Sequence, residues 1–231
     1  MKKRILPLFA YTVFVAIVSA LITTAWFHAF VFNQKGDVEQ QALVSLAAEK
    51  VANSPLVGGE DIIEIFSYGC HYCEVNEENV DMLEKHYQAC SDQDTPCNLT
   101  NHSYFNLDGQ GGLARYATVF ATLQVMGIEE AHRKSAYDAV IKRKIDLSDA
   151  AQRDAWLAEN KISVAQYNRV SQSVKVKELM DYMTQVTRYY NINATPAFIV
   201  AKKWVAFQDS DFPVFSDKLI SLLETEKAPE K

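Results

Sequence analysis

The sequence predicts an α/β domain held outside the cytoplasm behind an N-terminal membrane or signal helix, with a long helical block dividing its strands. Three observations predict it. Ile5 to Phe32 is a run of 28 residues without a formal charge, placed directly after Lys2, Lys3 and Arg4. Asp61 to Ser67 and Ala197 to Val200 are short β-prone runs, the first apolar on nearly every position, as in a strand covered on both faces. Between them, from Gly111 to Tyr190, apolar residues recur at helical spacing.

At 231 residues, 48% hydrophobic and 23% charged, the chain is long and apolar enough to bury a core. Beyond Phe32 the remaining 199 residues carry 20 basic and 29 acidic side chains. That excess argues against a nucleic-acid partner, which needs a basic face. Four cysteines are too few for a disulfide-dense scaffold of this length, so their placement carries the information.

The first element, residues 1–32, reads as a membrane anchor or signal segment. About 20 apolar residues span a bilayer as a helix, and the basic flank stays cytoplasmic, which sends the chain after Asn33 outward. Val18-Ser19-Ala20 offers small residues for cleavage, the alternative that yields a soluble periplasmic form. The apolar run continues through Trp26, Phe27, Phe30 and Phe32, which favours a retained anchor across residues 5–32. Either outcome places the domain where disulfides persist.

Residues 33–60 read as a helical spacer, since Asp37 to about Asn53 is Ala-rich with Val38, Ala42 and Leu46 at helical spacing; Pro55 and Gly58-Gly59 end it. After the strand at Asp61–Ser67, Glu74 to His86 reads as a helix with Val75, Val80 and Leu83 on its apolar side. Cys97 to Leu107 holds a second strand. Residues 111–190 come next as helices, marked by Leu113, Tyr116, Phe120 and Leu123, by Ala151, Ala155 and Leu157, and by Leu179, Met183, Val186 and Tyr190. Ser148 and Ser163 stand where N-caps are useful. Ala197–Val200 and Trp204–Phe207 pair around Lys202-Lys203, Phe215, Leu219 and Leu223 mark a last helix, and residues 227–231 form a tail.

The chemistry concentrates in Cys70-His71-Tyr72-Cys73. A dithiol catalyst needs one thiol that attacks as thiolate and a second that resolves the mixed disulfide, and C-x-x-C opening a helix supplies both. Free N–H groups and the positive helix pole favour negative charge on the Cys70 sulfur, and His71 can add to this. Glu74, Glu77 and Glu78 oppose it from the first two turns; the dipole is nearer and is expected to prevail. A structural disulfide or a Cys/His metal-binding module are the alternatives, although Cys90 and Cys97, separated by six residues, lack the spacing of a zinc knuckle. Cys90 and Cys97 are expected to close a structural disulfide over a polar loop, stabilising by about 2.5 kcal/mol, with a second redox pair as the alternative. No metal and no cofactor is called for.

Glu64-Ile65-Phe66-Ser67-Tyr68-Gly69-Cys70-His71-Tyr72-Cys73, followed by Glu77-Glu78 and then by Ala194-Thr195-Pro196-Ala197-Phe198-Ile199-Val200, resembles the DsbA family of thiol:disulfide interchange proteins over roughly Asp61 to Leu223. The resemblance implies a thioredoxin-like fold, residues 61–110 and 191–226, with an inserted helical subdomain at 111–190. It implies Cys70 and Cys73 as the redox-active disulfide, with His71 and Glu64 as catalytic partners. Glu64 would lie buried beneath the dithiol, where a carboxyl can carry a proton to or from Cys73. Pro196 resembles the family's cis-proline, beside which an extended substrate can pair as a strand; Thr195 and Tyr72 complete the substrate-facing set. The partners implied are cysteine-containing exported proteins and a DsbB-like membrane protein that reoxidises the dithiol. Two departures bear on direction: family oxidases have proline then histidine between the cysteines, and threonine before the proline is more familiar from isomerases and reductases.

Overall fold

The computed structural model describes residues 11, 16–24, 42–56, 62–88, 101–104 and 112–227. Residues 1–41 form a unit separate from the rest of the chain. Within it residues 16–24 are helical, and the hydroxyls of Thr23 and Thr24 donate to the carbonyls of Ser19 and Ala20. No helix among the described residues is long and apolar enough to cross a membrane. Most of the anchor expected at 5–32 lies outside the described residues, as do Cys90, Cys97 and residues 228–231.

Residues 42–231 are the second unit. Its strands are β1 (Leu43–Ser45), β2 (Ile62–Phe66), β3 (Asn101–Tyr104), β4 (Ala197–Val200) and β5 (Trp204–Phe207), in the spatial order β1-β5-β4-β2-β3. Among the described strands β2 and β3 run parallel and the other pairs are antiparallel. All five β2 residues are buried, which is why the run lacks polar alternation.

Side-chain alternation divides the core. Ile63 and Ile65 face Val186, Tyr190 and Ile192 together with Ala197, Ile199 and Val205. Ile62 lies on the other face with Phe198, Val200 and Ala206, under Val80 and Leu83 of α2 (His71–Gln88) and under Phe212, Phe215 and Leu219 of the C-terminal helix. A short helix α1 (Ala48–Ala52) precedes β2. The spacer therefore departs from expectation, because Leu43–Ser45 is strand. The open edge of β5 accepts it, Leu43 opposite Ala206 and Ser45 opposite Trp204, and ladder pairing overrides a weak helical preference.

The helical insertion comprises a 3-10 turn (Gly112–Tyr116), α3 (Ala117–Val125), α4 (Glu129–Tyr137) running into a π turn (Asp138–Lys142), α5 (Ala150–Glu159), α6 (Val164–Ser171) and α7 (Val174–Tyr189). Ser163 caps α6 as expected; α5 is capped one residue later than expected, by Asp149, whose carboxylate accepts from Gln152 N–H at 2.9 Å. The insertion's core, including Phe120, Tyr137, Trp156 and Tyr167, is continuous with Phe66, Tyr68, Cys70 and Cys73. The dithiol thus sits where the sheet end meets the insertion. The last element among the described residues is α8 (Phe212–Lys227).

Candidate active site

At the end of β2 the chain turns through Ser67, Tyr68 and Gly69, leaving Cys70 immediately ahead of the first residue of α2. Cys70 N–H donates to Ser67 O at 2.9 Å, Gly69 N–H donates to Ser67 Oγ at 3.2 Å, and Ser67 Oγ donates to Leu113 O at 2.6 Å. A Cβ on Gly69 would stand 3.3 Å from Tyr116 Cε2, so the 3-10 turn of the insertion presses directly on this corner.

Cys70 and Cys73 form a disulfide with Cα atoms 5.3 Å apart. Cys70 occupies the cap position: its sulfur accepts the Cys73 N–H at 3.1 Å and its carbonyl accepts from Glu74 N–H at 3.1 Å. One of the N–H groups that α2 cannot satisfy internally is therefore aimed at this sulfur. Cys70 is 5% exposed and Cys73 fully buried, so what surface the pair presents belongs to Cys70.

The other expected site residues lie on β2, just ahead of β4 or in the first turn of α2. The Thr195–Pro196 bond is cis and leads into β4, whose Ala197 pairs with Ile65 of β2. The proline strand and the dithiol corner thus leave the sheet at one end. Thr195 Oγ1 finds no hydrogen-bond partner among the described residues. Glu64, 1% exposed, sits mid-strand between Phe198 and His102, and by alternation shares the sheet face of Ile62 that α2 covers. Tyr72 is 71% exposed. The His71 side chain is also exposed, its Nδ1 3.6 Å from the Glu74 carboxylate.

A further cluster takes in Glu77 of the acidic turns together with Tyr68, Glu129 and Arg133, to which sequence alone assigns no role. Tyr68 Oη donates to Glu129 Oε1 at 2.7 Å, and Arg133 donates to both Glu129 oxygens and, from Nη1, to Glu77 Oε1 at 3.1 Å. Arg133 also lies 5.6 Å from the Phe66 ring centre. Burial works against the guanidinium charge, but the hydrogen bonds and charges of Glu129 and Glu77 outweigh it and hold Arg133 more firmly protonated than a free arginine. The i,i+4 spacing of Glu129 and Arg133 is visible in the sequence, yet such a pair ordinarily reads as surface helix charge. Among the described residues no group of three or more His, Cys, Asp or Glu side chains is placed to hold a metal ion.

A sheet of this order, a dithiol capping the helix that follows β2, and a cis-proline leading into the neighbouring β4 define the thioredoxin-fold class of thiol–disulfide exchange proteins. Within that class the chain belongs to the DSBA-like thioredoxin domain family, whose profile matches residues 61–220. It is 24% identical over 148 residues to the thiol:disulfide interchange protein DsbA of Azotobacter vinelandii, a match covering 64% of each chain. Its fold is similar to that of the oxidoreductase NmDsbA1 from N. meningitidis, with a TM-score of 0.63 at 20% identity over 83% of this chain and 96% of that one. Pseudomonas aeruginosa DsbA superimposes with a TM-score of 0.62 at 21% identity, covering 81% and 93%.

Proposed function

We propose that the chain is a DsbA-like thiol:disulfide oxidase that introduces disulfides into exported proteins. The observation that carries this reading is the capped sulfur, Cys70 accepting the Cys73 N–H at 3.1 Å ahead of an 18-residue helix. A thiolate favoured at that position is a good leaving group, which makes the disulfide oxidising.

In the forward reaction a substrate thiolate attacks Cys70 Sγ. The Cys70–Cys73 bond breaks and Cys73 leaves with the electron pair. A second substrate thiolate then attacks the substrate sulfur of the mixed disulfide, and Cys70 leaves as thiolate. The substrate has lost two electrons and two protons; Cys70 and Cys73 hold the electrons. Glu64 serves Cys73 as proton carrier, and Thr195, Pro196 and Tyr72 flank the incoming segment, whose backbone can pair beside Pro196 as an added strand. His71 adds to thiolate stabilisation when protonated.

Residues 5–32 tether the domain to the inner membrane with the dithiol in the periplasm, a reading supported by the uncharged run after Lys2-Lys3-Arg4. A DsbB-like membrane protein reoxidises the dithiol. Thr195 before Pro196 and the His71-Tyr72 dipeptide favour a second reading, a reductase or isomerase of the same fold. The equilibrium of the full-length protein with glutathione separates them: an oxidase is reduced far more readily than thioredoxin, whose potential is about −270 mV. A potential as low as that would overturn the oxidase reading.

A further inference from the structure

Each of the three glutamates in the first two turns of α2 meets a cation from the helical insertion. Glu74 Oε1 lies 3.2 Å from Lys142 Nζ, Glu77 Oε1 3.1 Å from Arg133 Nη1, and Glu78 Oε1 3.7 Å from Lys134 Nζ. The carboxylates that oppose a Cys70 thiolate are thus countered by residues from 55 or more positions away.

The three pairs are not equivalent. With a rise of about 1.5 Å per residue, Glu74 stands about 6 Å along the axis from Cys70, while Glu77 and Glu78 stand at about 10 Å or more, near the screening length of about 8 to 10 Å. Glu78 and Lys134 are almost fully exposed, at 87% and 88%, and an ion pair so placed contributes little. Arg133 is committed to the Glu129 cluster. Glu74, by contrast, is 19% exposed and takes both Lys142 and, at 3.6 Å, His71 Nδ1.

Lys142 reaches this place through the π turn. Arg143 N–H donates to Asp138 O at 3.0 Å, five residues back, and the extra residue rotates the end of the turn by about 100° relative to a regular helix. Asp138 lies 3.8 Å from the same ammonium, so Lys142 bridges its own turn and the dithiol helix.

We propose that Lys142 is a positioning residue that offsets the Glu74 carboxylate, so that the inserted helices set how oxidising the Cys70–Cys73 pair is. The inference rests on that pair being the redox centre. Without the ammonium, the uncompensated carboxylate destabilises the Cys70 thiolate, hence the reduced form. The reaction of the dithiol with oxidised glutathione, giving the protein disulfide and two reduced glutathione molecules, then moves toward the protein disulfide.

The test is the glutathione equilibrium constant of the full-length protein and five variants. Lys142→Met is expected to raise it by about threefold, or about 14 mV toward reducing values. Glu74→Gln is expected to lower it, the double variant to return near the parent, Lys142→Arg to match the parent, and Lys134→Met to change nothing. An unchanged constant in both Lys142→Met and Glu74→Gln overturns the proposal. So does a shift of equal size in Lys142→Met and the double variant, since Lys142 would then act other than through Glu74. A parent protein that reaches no reversible equilibrium with glutathione instead overturns the oxidoreductase reading itself, and this inference with it.

Discussion

Cys73 donates its backbone N–H to the sulfur of Cys70 across 3.1 Å, the hydrogen bond of a helix cap made with sulfur in place of the usual hydroxyl or carboxylate. One residue is thereby both cap and reacting group. Any change that lengthens this corner withdraws the helix end from the sulfur.

Glu64 is the one acidic residue of β2 and is 1% exposed. Glu64→Gln preserves size and hydrogen-bonding oxygen but cannot carry a proton. Oxidation of the reduced protein by oxidised glutathione should slow about tenfold or more in stopped-flow measurements, with an altered pH profile and an unchanged melting temperature. An unchanged rate and profile would remove Glu64 from the mechanism.

The Arg133 cluster joins three segments: Tyr68 of the dithiol corner, Glu129 of α4 and Glu77 of α2. Arg133→Met leaves the Glu129 side chain, 1% exposed, without its cation. Urea denaturation should show a loss of about 3 to 5 kcal/mol, because a buried charge is left uncompensated. Adding Glu129→Gln should recover part of the loss.

Burial raises the phenol pKa of Tyr116, Tyr167 and Tyr190; Asp146 adds to the first, while hydrogen bonds from Arg115, Thr122 and Ser54 respectively oppose the rise. A folded pKa above the unfolded one contributes stability that is fully present below the unfolded value, about 10, and is lost as pH rises through the folded one. Urea stability should therefore fall on the alkaline side, above pH about 10, with part of the tyrosinate absorbance appearing only as the protein unfolds. Complete ionisation of the tyrosines with the fold intact would contradict this.

In the β4–β5 turn, Ala201 and Lys202 have φ of 50° and 59°, and Lys203 N–H donates to Val200 O at 3.0 Å. Two consecutive left-handed residues are the I′ turn that suits a hairpin twist, and neither side chain favours it. Lys202→Gly should stabilise by about 1 kcal/mol in urea denaturation; a loss of stability would show that the lysine stem makes contacts worth more than the strain.

How much the sequence discloses depends on how local each signal is. The buried strand Ile62–Phe66, the hairpin around Lys202 and the helical periods after Gly111 are written in neighbouring residues, and the dithiol and Thr195-Pro196 are short motifs with their own chemistry. Apolar spacing starts α2 only at Glu74, because the dithiol carries no helical period of its own; the helix includes His71 to Cys73. Leu43–Ser45 becomes a strand only because β5 offers an edge, and no pattern within three residues announces that. The pairing of Glu74 with Lys142 and of Glu77 with Arg133 spans more than 50 positions, so sequence shows the acidic turns without their cations.

The most direct test is which sulfur meets the substrate. Full-length Cys73→Ser, mixed with a reduced exported protein in the presence of an oxidant for Cys70, should accumulate a mixed disulfide that mass spectrometry maps to Cys70, while Cys70→Ser traps none. Equal trapping through Cys73, or none through either, would contradict the assignment of Cys70 as the exchanging sulfur.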